Sequence, residues 1–137
     1  MSARYLIFYL RFVGVAALLA FAAALMPGSW MVEIAEWMDI EPFPDAPLTF
    51  YLARNLSLMY GFLGVFLMLI ASDLPRYRPL VRWMAVSAVS FAVLQGVVNA
   101  MAGMPAMWTY GESGWNLLGG GLMWWLQART FEDGGRE

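Results

Sequence analysis

NLSLMYGFLGVFLMLIAS, residues 55–72, is a run without a single charged side chain. It shows no sustained alternation of apolar and polar residues, so it reads as a helix and not as a strand of a membrane barrel. A helix that crosses a bilayer needs about 20 largely apolar residues, and starting this one near residue 49 supplies them. The run is followed by SDLPRYRPL (72–80), whose Pro75 and Pro79 make a tight turn between antiparallel neighbours. Beyond the turn lie the uncharged stretches 83–111 and 113–128, and before the opening run lies 12–26. Working outward in this way places spans near 5–26, 49–71, 80–102 and 109–129. The first and last reach full length only by including Arg11 and Glu112. The reading is an all-α, polytopic membrane protein, a four-transmembrane-helix up-down bundle forming a single domain over 1–137.

Composition supports that reading. The 137 residues are 61% hydrophobic and 13% charged, whereas a soluble domain averages about 45–50% apolar and 25% charged residues. A small water-soluble globule needs a polar surface, and a lipid-facing surface removes the need. There is no cysteine and no histidine. Disulfides, thiolate and histidine metal sites, thiol catalysis and the commonest general base are thereby excluded. No catalytic motif, metal site or cofactor is predicted, and no nucleic-acid partner.

All the positive charge is arginine. Arg4, Arg11, Arg76, Arg78, Arg82, Arg129 and Arg136 fall at the two termini and the 72–80 turn; only Arg54 falls on the other side. Glu33, Glu36, Asp39, Glu41, Asp45 and Glu112 accompany Arg54 there. By the positive-inside rule both termini and the turn are cytoplasmic. Trp30, Trp37 and Trp108 then mark the outer interface, and Trp83, Trp124 and Trp125 the inner one. Residues 1–26 also carry the basic start, apolar stretch and Ala22-Ala23-Ala24 of a signal peptide. They are read here as a retained span, because 5–26 is long enough to cross and its removal would leave an odd number of helices behind an external N-terminus. Arg11 snorkels to the inner interface, with Asp73 or Gln127 in reach.

The first external loop, 27–47, is the longest. Trp30, Met31, Ile34, Trp37 and Met38 fall within about 120° of a helical wheel, and Glu33, Glu36 and Asp39 lie beside or opposite them. The spacing predicts a short helix over 30–39, capped by Ser29, lying flat at the interface or covering the mouth of the bundle. Pro42, Pro44 and Pro47 then give an extended return to the second span.

Small residues at helical spacing locate the packing faces: Ala53, Ser57, Gly61 and Gly64 in the second span, Gly96 in the third with Ala85, Ala88, Ala92 and Gly103, and Gly119 and Gly120 in the fourth. The same faces carry Arg54 and Tyr60, Gln95 and Asn99, and Glu112, Asn116 and Gln127. Arg54, Tyr60, Gln95, Asn99, Glu112 and Asn116 are therefore the candidate ligand-binding residues, with an Arg54–Glu112 ion pair at the centre of an outward-facing polar pocket. Charges at membrane depth cost on the order of 2.5–3.5 kcal/mol and mark function or a pair. The same residues have structural readings. Thr109 and Glu112 fit a capping box, Arg54 can snorkel, and the amides can join helices. Asp73 can pair with an arginine of its turn, whose arginines could also touch anionic headgroups.

The segments Met26-Pro27…Trp30-Met31, Tyr51-Leu52-Ala53-Arg54…Ser57…Tyr60, Asp73…Arg76-Tyr77-Arg78-Pro79-Leu80 and Met104-Pro105…Trp108-Thr109…Glu112 resemble patterns in uncharacterised small bacterial four-helix membrane proteins, and the size and hairpin order resemble the broader DoxX-like group. The resemblance implies a bacterial four-helix bundle and brings no activity with it. Small multidrug transporters, with a membrane-embedded Glu in the first helix, fit less well, as do fluoride channels and sterol-isomerase-like bundles. The expectation is a non-enzymatic accessory, assembly or lipid- or small-ligand-binding bundle. Its partners would be membrane lipids, and a homo-oligomer or larger membrane complex is open to it. A subunit of an oligomeric solute or ion transporter or channel is the first alternative. An intramembrane enzyme using Glu112 and Arg54 on a lipid-soluble substrate is the second.

Overall fold

A computed structural model describes residues 2–38, 44 and 46–132. Its elements are α1 (Ser2–Leu18), α2 (Ala20–Ala24), α3 (Gly28–Trp37), α4 (Pro47–Ser72), α5 (Arg78–Met101) and α6 (Ala106–Glu132), and no strand occurs among the described residues. Three helical stretches are long and apolar enough to cross a membrane: Ala3–Ala24, which runs from α1 through Leu19 into α2, then Pro47–Ser72 and Arg78–Met101. At about 1.5 Å per residue α6 is also long enough. Its composition keeps it out of that group, because it carries Thr109, Glu112, Ser113, Asn116 and Gln127 and a series of glycines. Asp39, Glu41, Asp45 and Arg136, which entered the charge argument, lie outside the described residues, as do residue 39 of the predicted interfacial helix and Pro42 of the predicted return.

The chain divides into two compact units, one of Leu10–Leu69 and one made of the residues up to Tyr9 together with those from Ile70 onward. In the first unit, glycine decides how close the helices come. A Cβ on Gly64 would lie 2.7 Å from the Gly14 carbonyl oxygen and 2.8 Å from the Leu18 nitrogen, both backbone atoms. The α1–α4 crossing leaves no room for a side chain at Gly64, and one at Gly14 would press on the Gly64 carbonyl oxygen at 3.3 Å. One turn away, the Phe21 ring sits where a Gly61 side chain would be, 2.6 Å from its Cβ position. The same ring meets Phe62 edge-on at 5.4 Å. Ala53 and Ser57 are half-buried on this face of α4, and Leu67 is buried.

The α3 helix starts at Gly28, with Pro27 in the cap position and no side-chain cap bond. Ser29 is therefore inside the first turn and does not cap it. The wheel divides into three sectors. Met31, Val32 and Ala35 turn inward, Ala35 fully; Trp30, Ile34, Trp37 and Met38 are exposed; Glu33 and Glu36 occupy the remaining arc. Met31 thus leaves the apolar group predicted for it and joins the packed side. Gly28 packs on the Phe50 ring, where a Cβ would approach to 3.3 Å.

The second unit is built on the α5–α6 hairpin. After Ala102, Gly103 adopts φ 70°, in the left-handed region that costs glycine least. The Met104 amide bonds to the Asn99 carbonyl at 3.0 Å and the Gly103 amide to Ala100 at 3.2 Å, the paired bonds of a Schellman stop. Gly103 ends the helix; it is exposed and does not belong to the packing face with which it was grouped. Pro105 then accepts the amides of Trp108 and Thr109, each at 3.0 Å, and α6 begins. Farther along, a Gly120 Cβ would lie 3.0 Å from the Val89 nitrogen and 3.1 Å from the Ala88 Cβ, so the two helices are in close contact here. Val81, Ala85, Ala92, Met123 and Leu126 are buried. Tyr9 of α1 donates its hydroxyl to the Gly119 carbonyl at 2.8 Å. In the turn before α5, the Asp73 carboxylate accepts the Arg76 backbone amide at 3.4 Å; it holds the turn's backbone, where an arginine side chain was the expected partner.

Candidate functional site

Polar side chains inside an apolar hairpin are costly to leave unpaired, so where they meet is the place to look for function. Gln95 and Asn99 are one turn apart on α5, and Ser113 and Asn116 nearly one turn apart on α6; all four are half-buried. Asn116 donates from Nδ2 to Gln95 Oε1 at 2.7 Å. Asn99 Nδ2 and Ser113 Oγ are buried and have no hydrogen-bond partner. Gly96 makes room for the hydroxyl, its Cβ position lying 3.3 Å from Ser113 Oγ. An amide pair therefore lies next to an unpaired donor and an unpaired hydroxyl, all at the end of the hairpin where Gly103 turns the chain. Toward the other end the seam closes at Gly120 on Val89.

Thr109 is buried above the seam and donates its hydroxyl to the Met104 carbonyl at 3.3 Å. Since α6 begins at Ala106, Thr109 and Glu112 are inside the helix and the predicted capping box does not form. Glu112 is half-buried in the second turn of α6. Gln127 is buried at the far end of the same helix.

Arg54 and Tyr60 belong to the other unit. Arg54 is exposed and donates from Nη2 to the Met26 carbonyl at 3.2 Å, just past the end of α2, where a cation complements the terminal carbonyls. The predicted Arg54–Glu112 pair joins residues of different units. Asn55, one residue on, satisfies its amide on its own helix by donating to the Tyr51 carbonyl at 2.8 Å.

Sequence reasoning passed over Ser113 and Tyr9. Ser113 was detectable, since it shares a wheel face with Asn116 and Gly120. Tyr9 carried no such signal, because its acceptor is a backbone carbonyl that only the absence of a side chain at Gly119 exposes. Chemically the seam offers hydrogen-bond donors and acceptors without a base or nucleophile pair. No group of acidic residues among those described could hold a metal ion. No known protein family, curated protein or solved structure matches this chain.

Proposed function

We propose that this protein is a four-crossing membrane bundle without enzymatic activity that binds a small neutral ligand or a lipid headgroup in the Gln95–Asn99–Ser113–Asn116 seam. In this reading α6 is the fourth crossing. Its exposed Met107, Tyr110, Trp115, Leu118, Leu122 and Trp125 support that assignment, as do the exposed Phe8, Phe12, Phe66, Val93 and Leu94 on the other long helices. So large an apolar surface is suited to lipid and not to water. The three sectors of α3 suit a helix at the outer interface, with one face on protein, one in lipid and the acidic face in water. The arginine distribution and the resemblance to small bacterial four-helix proteins support a bacterial inner membrane with both termini inside.

The observation that carries the binding reading is the buried, unpartnered pair Asn99 Nδ2 and Ser113 Oγ. A buried polar group without a partner costs about 1–3 kcal/mol, so the seam suits a guest presenting an acceptor oxygen. The test is mass spectrometry of lipids and small molecules that copurify with the full chain in mild detergent. Wild type retains an oxygen-bearing compound in stoichiometric amount. Asn99→Leu with Ser113→Ala loses it and unfolds at an equal or higher temperature. A wild type that retains nothing, beside a variant that is simply more stable, would reduce the seam to interhelical packing and sink the proposal.

A further inference from the structure

The opposite end of the α5–α6 hairpin carries a different arrangement. An open groove of about 450 Å³ runs between the helices on their exposed side, lined by Val86, Val89, Ser90, Leu117, Gly121 and Trp124. A Cβ on Gly121 would meet nothing within 4 Å, so its missing side chain forms the floor of a groove and serves no helix contact. One turn before Val86, the Arg82 guanidinium lies 6.0 Å from the centre of the Trp124 ring. One further turn back, Arg78 lies 4.5 Å from the centre of the Phe131 ring. Neither arginine has an acidic partner among the described residues. A guanidinium resting on an aromatic face keeps the N–H donors at its edge for an anion. Arg78 is also the first residue of α5, a helix start with no side-chain cap and no acidic residue in its first turn, so the dipole adds to the positive field.

We infer that this end of the hairpin is a site for one anionic phospholipid, with an acyl chain along the Val86–Gly121 groove and the headgroup phosphate on Arg78 and Arg82. The charge complementarity names the occupant. An apolar helix of a second copy would fill the groove equally well but would leave both arginines unanswered. Trp124 joins the halves of the site, lining the groove while supporting Arg82. The inference rests on the membrane reading above and is independent of the amide seam.

The test uses the full chain in neutral detergent, titrated with phosphatidylglycerol or phosphatidylcholine and read by native mass spectrometry. One phosphatidylglycerol is retained per chain, at least tenfold more tightly than phosphatidylcholine. Arg78→Gln with Arg82→Gln weakens it at least tenfold, and so does Gly121→Leu, which fills the groove without changing charge. Gly114→Leu, also in open space but outside the groove, leaves retention unchanged. Equal retention of the two lipids would overturn the site. So would loss on the arginine changes with none on Gly121→Leu, since that describes diffuse attraction of a basic surface. A Gly121→Leu variant that changes oligomeric state and not lipid retention would assign the groove to a second copy. Failure of the membrane reading itself would look different, as the chain would be recovered in the soluble fraction without detergent.

Discussion

The Gln95–Asn116 hydrogen bond shows how a single contact behaves away from water. Replacing one partner by leucine removes the bond and also leaves the other amide buried without a partner. Replacing both removes the need for the bond. Gln95→Leu and Asn116→Leu are each expected to lower stability by about 1–2 kcal/mol, and the double variant by less than their sum. Thermal unfolding of the four proteins in detergent measures this; additive losses would mean that the two residues act separately. Tyr9→Phe is a simpler case. It removes a hydroxyl whose acceptor is a carbonyl already served by its own helix, so the loss should be near the ordinary value of about 0.5–1.5 kcal/mol.

Helix pairing in this chain depends on which glycines face a neighbour. Composition alone does not distinguish them, because α6 alone contains Gly111, Gly114, Gly119, Gly120 and Gly121. At Gly64 an added methyl would meet backbone atoms at 2.7 and 2.8 Å, and backbone cannot rotate aside. Gly64→Ala is therefore expected to cost about 1–3 kcal/mol as an overpacked contact. At Gly111 and Gly114 nothing lies within 4 Å, so alanine there should be neutral or stabilising by up to about 1 kcal/mol through helix propensity. Gly103→Ala meets no atom either, but its φ of 70° makes it destabilising all the same. Unfolding midpoints should fall for Gly64→Ala and Gly103→Ala and hold or rise for alanine at 111 and 114. The faces bearing Gly61, Gly64 and Gly120 were legible in the sequence because small residues recur on one side of a wheel. The starts of α3 and α6 were not. Ser29 and Thr109 are good caps in isolation, but Pro27 and Pro105, as bends that cannot continue a preceding helix, set each start earlier.

At the scale of the whole chain, the uncharged runs and the arginine-rich turn were enough to predict long helices, and three of them are apolar enough to cross a membrane. The fourth is harder to read because its interior-facing residues are the polar seam itself: Ser113, Asn116 and the glycines that admit α5 lower its hydropathy. On the proposed reading, the residues that form the seam are therefore the ones that make α6 the least apolar of the long helices. The candidate site was legible as residue types, Gln95, Asn99 and Asn116, but not as a pattern of pairing. Which amide finds a partner and which is left without one depends on the register of α5 against α6, and that is set by the turn at Gly103 and the contact at Gly120.

The central claim is that α6 crosses the membrane. The chain has no cysteine, so single substitutions report cleanly on sidedness. Met107→Cys at the start of α6, Ala128→Cys near its end and Tyr77→Cys in the arginine turn, each treated in intact cells with a membrane-impermeant maleimide, measure it directly. The account predicts labelling at position 107 and none at 77 or 128 until the membrane is opened. Labelling of 107 and 128 from the same side would contradict it.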